Sequence, residues 1–448
     1  METGFFIYFA QTCRTVMQPN LTELLYRHFL DHRVVSTDSR RISPGCLFFT
    51  LKGSTFNGNH FVREAFAQGA AYAIVDEQVG VINDRCIRVD DGLAALQDLA
   101  RHHREQFTIP VIAITGTNGK TTTKELIRTV LSEKFRTVAT RGNLNNHIGV
   151  PLTLLEIDEN TEIAVIEMGA SHPGEIGFLC RIAEPGYGLI TNIGKAHLEG
   201  FGGFEGVIRT KTELYRYLQD TGGKVFINLD DPLLMDLARD ITLITYGFHP
   251  AFVTAGSLMA DPFVRLEMIL PGQPPMTVES HLYGRYNAPN ILAAACAGYH
   301  FGVEPSQIRQ AIEAYRPSNN RSQIETTASN LLILDAYNAN PASMTEALET
   351  FAGTAYPGKV VILGDMLELG DETDTEHQNI LEILDQLNLN AVFLIGPFFT
   401  RQNRKREHIC FNDIDLARIW FEHHPLKGKT ILLKGSRGIQ LEKLVELL

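Results

Sequence analysis

The sequence predicts an α/β protein of three domains, over residues 17–107, 108–316 and 317–448. The first is a small α/β domain. The second is a parallel-sheet domain with an ATPase-like phosphate loop, and the third is Rossmann-like. Three observations predict this. The chain has 448 residues, and roughly 150 make a domain. Short apolar runs alternate with helical patterns on both sides of the middle, as doubly wound sheets require. In the middle, Val111-Ile-Ala-Ile-Thr-Gly-Thr-Asn-Gly-Lys-Thr-Thr-Thr123 reads as strand, glycine loop and helix start.

In the first domain, Cys46–Leu51, Ala71–Val75 and Cys86–Val89 read as strands, and His60–Gln68 and Leu93–Gln106 as helices. The polar turns Ser36-Thr-Asp-Ser-Arg-Arg41 and Phe56-Asn-Gly-Asn-His60 suit a uridine diphosphate, although plain turns between strands look the same. Ahead of them, residues 1–10 are apolar but carry Glu2 and no basic stretch, a poor signal peptide. Met17 is an alternative start for translation.

In the second domain the apolar run Val111–Ile114 is a buried strand. Leu126, Ile127, Val130 and Leu131 then share one helix face. A glycine loop between such elements turns backbone N–H groups toward an anion, and the helix N-terminus adds its positive dipole end. Lys120 supplies a charge for phosphates, and Thr121 a hydroxyl for Mg²⁺. The spacing is shorter than in the common phosphate loop, since Gly116 and Gly119 enclose only Thr117 and Asn118. Ile163–Gly169 is a strand carrying Glu167 near its end, where parallel sheets place ligands. Glu167 is either a Mg²⁺ ligand or an acid paired with a neighbouring base. Gly188–Ile193 is another strand, and His197 in the loop beyond it is either a metal ligand or a surface residue. The helix Val207–Tyr215 carries Lys211. Asn287 and Asn290 share a helix face and suit adenine's edge, with helix capping by Asn287 as the other reading.

Arg316–Asn320 reads as a linker. The third domain follows with strands Leu331–Asp335, Lys359–Asp365, Ala391–Ile395 and Thr430–Lys434. Helices Glu376–Leu387, Ile414–Glu422 and Ile439–Leu448 alternate with them.

A net charge of −12 argues against nucleic-acid binding, since a phosphate backbone rewards the opposite sign. The six cysteines are scattered with no Cys-x-x-Cys pair, which suits reduced thiols in a cytoplasmic protein. No apolar run reaches the ~18–20 residues of a membrane span.

The short Gly-Thr-Asn-Gly-Lys-Thr loop resembles that of the ATP-dependent Mur ligase and folylpolyglutamate synthetase superfamily. Further motifs sharpen the resemblance: Asn143-Leu-Asn-Asn-His-Ile-Gly-Val-Pro151, Ile166-Glu-Met-Gly-Ala170, Ala196-His-Leu-Glu-Gly-Phe-Gly202, Tyr337-Asn-Ala-Asn-Pro341, Leu363-Gly-Asp-Met-Leu-Glu-Leu-Gly370 and Leu433-Lys-Gly-Ser-Arg437. Their order is similar to the Mur ligases that add the final dipeptide. The branch that adds the third amino acid would carry Asp-Asn-Pro-Arg, absent here. It stays as the enzymatic alternative, with a catalytically inactive nucleotide-binding relative as the other. Tyr286 stands where the family often has His.

The resemblance implies a monomeric cytoplasmic enzyme, using ATP, two Mg²⁺ and CO₂ held as a lysine carbamate. It would join D-alanyl-D-alanine to UDP-N-acetylmuramoyl-tripeptide. Catalysis falls to Lys120, Glu167, His197 and Lys211. The metals fall to Thr121, Glu167, His197 and carbamylated Lys211. The nucleotide falls to Thr115, Gly116, Thr117, Asn118, Gly119, Lys120, Thr121, Thr122, Asn287 and Asn290, with Arg321 at phosphate and Asp335 at ribose. The uridine-linked substrate falls to Ser36, Asp38, Ser39, Arg40, Lys52, Asn145 and Asn146. For the dipeptide the expected residues are Asp365, Lys434 and Arg437.

Overall fold

The computed structural model describes residues 21–78, 84–318, 320–403 and 408–448. The alternative start at Met17 lies outside them. The chain forms two compact units, Met1–His103 and Arg104–Leu448.

In the first unit, strands Val35–Ser36, Leu47–Phe49, Tyr72–Val75 and Cys86–Arg88 pair in sequence order, all parallel. Leu47–Phe49 is wholly buried, and helix Leu21–His32 buries Leu25 and Phe29. The expected helix from His60 starts earlier, as a 3₁₀ turn over Gly58–Phe61, and is α-helical over Val62–Ala67. The Asn57 side chain starts that turn by accepting from the Asn59 N–H, as short polar side chains do at helix starts.

The second unit holds two sheets, of nine and six strands. Val111–Thr115 lies between Ile163–Glu167 and Tyr187–Ile190, parallel to both. All residues of Val111–Thr115 and Ile163–Glu167 are buried, as expected for parallel strands covered on both faces. After Val111–Thr115 the chain runs to Thr137–Ala139 at the sheet edge, then returns to Ile163–Glu167. It continues on the other side at Tyr187–Ile190, so strand order reverses here and opens a crevice at the carboxyl ends. Leu126, Ile127, Val130 and Leu131 are fully buried in one cluster with Ile291 and Ala294. Burying each of the larger side chains contributes about 1.5–3 kcal/mol.

The sheet extends beyond the sequence reading, through Val253–Ala260, Phe263–Ile269 and Met276–Tyr283, the last two antiparallel to their neighbours. Val264, Leu266 and Met268 alternate inward, a period-2 signal. Gly256, Pro262 and the Pro271–Pro275 stretch break that signal into what looks like loop.

In the third-domain sheet, Leu331–Asp335, Thr430–Lys434, Lys359–Gly364, Ala391–Ile395 and Ile409–Phe411 are parallel, and Gln323–Thr326 closes one edge antiparallel. The expected helix Ile439–Leu448 is instead 3₁₀ over Leu441–Leu447. Its i, i+3 repeat buries Leu441 and Leu444, and the Thr327 hydroxyl donates to the Leu448 carbonyl. These tertiary ties fix a tighter winding than helix propensity alone suggests.

Candidate active site

The phosphate loop follows Val111–Thr115 directly, at the reversal of strand order. Gly116 has φ 143° and Gly119 has φ 78°, values that favour glycine. A Cβ at Gly116 would sit 2.0 Å from Thr191 Oγ1, and one at Gly119 would sit 2.9 Å from Asn290 Oδ1. Gly119 also begins helix Lys120–Leu131. The N–H groups of that helix's first turn have no intrahelical acceptor. They face a charge site of the kind an anion fills. The N–H groups of Thr117 and Asn118 are spent elsewhere, on the Asn192 carbonyl at 3.0 Å and Asn192 Oδ1 at 2.9 Å. The cradle is therefore narrower than the expected run from Thr115, and its amides come from Gly119 onward. Asn192 was missed from sequence. Its only signal is a polar residue just past a strand neighbouring the loop.

Lys120 Nζ donates to the carbonyls of Gly116 at 2.8 Å and Thr117 at 3.0 Å. It folds back over its own loop. Burial pulls this ammonium down to about 8, with Arg321's charge adding and Glu167's opposing. An arriving phosphate would reverse that penalty.

Glu167 is 1% exposed. Its Oε1 accepts from the Thr121 hydroxyl at 3.1 Å and from Asn145 Nδ2 at 2.8 Å. Its Oε2 is buried with no hydrogen-bond partner among the described residues. An orphaned buried carboxylate oxygen is costly, and a cation would satisfy it. Among the described residues no base is hydrogen-bonded or ion-paired to it, which does not favour the alternative of a strand-end acid paired to a base. The residues fit Mg²⁺, which takes one or two carboxylates and completes its shell with water and phosphate. Among the described residues, no three His, Cys, Asp or Glu side chains gather as a ready-made site.

His197 sits at φ 51°, with Nδ1 against the Glu368 carboxylate of the third domain. Burial lowers its pKa, with Lys120 and Lys211 adding and Glu368 opposing. Lys211 is 3% exposed, with Nζ 5.7 Å from the centre of the Phe201 ring. Burial and then Lys120's charge draw it down to about 7, against Glu175 and Glu213.

Asn290 Oδ1 accepts from the Thr123 hydroxyl at 3.0 Å, and Asn290 Nδ2 donates to Asn287 Oδ1 at 2.8 Å. Asn287 Nδ2 donates to the Tyr283 carbonyl at 2.8 Å. Asn287 occupies the N-cap position of helix Ala288–His300 without a side-chain cap bond, so the capping reading fails. Tyr286 bonds Ser322 Oγ at 3.0 Å.

Thr117–Thr122, Asn145, Asn146, Glu167, His197, Asn287, Asn290, Arg321, Asp335 and Lys434 line one cavity of about 620 Å³ between the central and third domains. Lys211, Thr115, Gly116, Asp365 and Arg437 lie outside that lining. The Arg321 guanidinium lies 3.6 Å from the Tyr337 ring centre, and exposed Arg437 lies 5.4 Å from the same ring.

One expectation for the dipeptide is corrected. Asp365 is 0% exposed, and its carboxylate accepts from the N–H groups of Phe398 at 2.8 Å and Phe399 at 2.9 Å. It closes the start of helix Pro397–Gln402 and is not open to a ligand. Lys434 is bonded to Asp335, its direct partner across the paired strands, and both line the cavity. In the N-terminal unit, Asp38 holds Arg40 in a two-pronged pair, and Lys52 meets Asp76 and Glu77. The Ser36 hydroxyl bonds the Asp38 carbonyl. Asn146 Oδ1 accepts from the Ile148 and Gly149 N–H groups.

Family models match three consecutive stretches. They are a Mur ligase family catalytic domain over residues 32–104, a Mur ligase middle domain over 114–298, and a Mur ligase glutamate ligase domain over 320–437. A UDP-N-acetylmuramoyl-tripeptide–D-alanyl-D-alanine ligase of Bacillus subtilis is 36% identical, covering 92% of each chain. This chain belongs to the Mur ligase family. The Escherichia coli ligase of the same name is 32% identical over 92% of this Mur ligase and 93% of its own length. MurF from Acinetobacter baumannii superposes with a TM-score of 0.83 at 32% identity, covering 92% of both chains. MurF from Thermotoga maritima, solved with ADP, gives 0.81 at 28% identity, covering 93% of this chain and 97% of that one.

Proposed function

We propose that this Mur ligase joins D-alanyl-D-alanine to UDP-N-acetylmuramoyl-tripeptide with ATP, giving UDP-N-acetylmuramoyl-pentapeptide, ADP and phosphate. That is the last cytoplasmic step of the peptidoglycan precursor. One observation carries the reading: Lys120, Glu167 and His197 converge on one interdomain cavity in a chain 36% identical, over nearly its whole length, to a ligase of that name.

A carboxylate is a poor electrophile, so ATP phosphorylates it and the dipeptide amine attacks the acyl phosphate. Positioning and charge stabilisation supply most of the catalysis. Lys120 and the first-turn amides hold the phosphates. Asn287 and Asn290 face adenine, Arg321 the phosphates and Asp335 the ribose. Thr121 and Glu167 would hold one Mg²⁺, and His197 with carbamylated Lys211 a second. When bound, the metals would neutralise phosphate and carboxylate charge. His197 would have to part from Glu368 to do so. Ser36, Asp38, Ser39, Arg40, Lys52, Asn145 and Asn146 stay the proposed contacts of the uridine-linked tripeptide. The protein acts as a monomer.

The test is product mass spectrometry after incubation with ATP, Mg²⁺ and tripeptide substrate. The pentapeptide should form with D-alanyl-D-alanine. Turnover with a free amino acid instead would favour the third-residue branch, and no phosphate release with either would favour an inactive relative.

Arg437 remains the candidate for the dipeptide carboxylate, since guanidinium forks match carboxylates. Arg437→Ala should raise KM for D-alanyl-D-alanine about 10- to 100-fold, the usual worth of a charged hydrogen-bonded pair. Tripeptide-dependent ADP–ATP exchange should stay near normal. Equal loss of both would move Arg437 toward the nucleotide.

A further inference from the structure

Among the described residues, a pair of amide side chains hydrogen-bonds the third domain to the phosphate loop. Asn340 Nδ2 donates to Asn118 Oδ1 at 2.6 Å, and Asn118 Nδ2 lies 3.4 Å from Asn340 Oδ1. The two residues are 222 positions apart. Each is anchored on its own side by its other atoms. The Asn118 carbonyl accepts from Thr191 Oγ1 at 2.6 Å and Asn192 Nδ2 at 3.2 Å, and its N–H donates to Asn192 Oδ1. The Asn118 backbone is thereby fixed to the central sheet, which leaves its side chain free to reach outward. Asn340, 4% exposed, caps helix Pro341–Gly353, accepting from the Ser343 N–H at 3.0 Å while Ser343 Oγ accepts from the Asn340 N–H at 3.2 Å. That capping box aims the remaining Nδ2 at the loop.

We infer that Asn118 and Asn340 are a positioning pair, through which docking of the third domain holds the phosphate loop in its nucleotide-binding turn. This rests on the ATP-dependent ligase reading above. The turn Thr117–Gly119 feeds directly into the first-turn amides and Lys120. A tie at its outer side therefore fixes the orientation of the groups that meet phosphate. By thermodynamic reciprocity, a phosphate held in that turn favours the docked third domain. The pair would act through the loop and touch no reacting atom.

Two substitutions isolate it. Asn118→Ala removes one amide and fits the backbone, since Asn118 is not a positive-φ position. Asn340→Ser removes the reach to Asn118 but keeps a side chain that caps helices as well as Asn does. Steady-state kinetics of the full chain with ATP, tripeptide substrate and D-alanyl-D-alanine should show kcat/KM for ATP reduced about three- to tenfold in each variant, the size of one net hydrogen bond. KM for the tripeptide substrate should stay within about twofold, and the double variant should be no more than about twofold worse than the poorer single one. The melting temperature of Asn340→Ser should stay near wild type. If it falls far below, Asn118→Ala, which leaves the cap whole, carries the test by the same split. Losses that multiply in the double variant, or that fall equally on ATP and tripeptide, would overturn the coupling. A wild-type protein that releases no phosphate would instead overturn the ligase reading itself.

Discussion

At the residue scale, the sequence exposes groups whose chemistry depends on neighbours it cannot display. Glu167 and Lys211 were found as a strand-end acid and a helix lysine. Their burial, at 1% and 3% exposed, is what the sequence does not display. Lys211 falls to about 7, chiefly by burial, against ~10.4 for a free lysine. Between those values the unfolded chain binds a proton the folded protein lacks, so this group's contribution to stability rises with pH across the window. The same shift leaves much of the amine neutral near pH 7, the form that adds CO₂. With ¹³C-bicarbonate, wild-type protein should give a carbamyl carbon signal near pH 8 that fades below about pH 6, and Lys211→Ala should lack it. The variant should lose at least ~100-fold in kcat, beyond the 10–100-fold cost of groups merely behind a metal ligand. Short carboxylic acids should restore part of it. A fully active Lys211→Ala would leave this lysine a structural role only.

At the element scale, strand–loop–helix order was legible because each parallel strand is a short apolar run and each helix an amphipathic pattern. The phosphate loop was legible from its glycines, Lys120 and the strand and helix that flank them, although its spacing is shorter than usual. What stayed hidden were features set by tertiary contacts: the antiparallel strands interrupted by Gly and Pro, the 3₁₀ end of the chain, and the direction of Asp365. From sequence Asp365 ends a strand, where ligands gather. In three dimensions it turns inward and accepts two N–H bonds from the start of helix Pro397–Gln402. Gly396 makes room for it, since a Cβ there would meet the carboxylate at 2.3 Å. Asp365→Ala should therefore act on the fold. Thermal or urea unfolding should show a loss of about 1–3 kcal/mol, from a broken helix start and two buried N–H groups left unpaired. KM for D-alanyl-D-alanine should hardly move in the surviving folded protein. A selective rise in that KM with unchanged stability would return Asp365 to the acceptor site.

At the scale of the whole molecule, the interdomain cavity has a second clasp besides the amide pair. Lys195 Nζ lies 2.9 Å from Glu372 and 2.9 Å from Glu376 of the third domain. Two residues on, His197 meets Glu368. In the acidic stretch after Lys359–Gly364, Glu368, Glu372 and Glu376 spend their carboxylates on the central domain, while Asp374 pairs with Arg401 of its own domain. The Lys195 side chain is 48% exposed and that of Glu376 only 9%, so solvent weakens the pairs without cancelling them. Exposed ion pairs contribute about 0.2–1 kcal/mol each, so the clasp adds a modest, salt-sensitive attraction between the two domains. Lys195→Glu replaces two attractions with two repulsions and should lower kcat/KM for D-alanyl-D-alanine by roughly 5- to 30-fold at low salt, on that scale. Raising ionic strength should narrow the gap to wild type, since screening weakens repulsion as it does attraction. Adding Glu376→Lys should recover most of the loss by restoring one pair in reverse. If the double variant is as poor as Lys195→Glu alone, and salt leaves the gap unchanged, Lys195 acts locally on the His197 loop and does not clasp the domains.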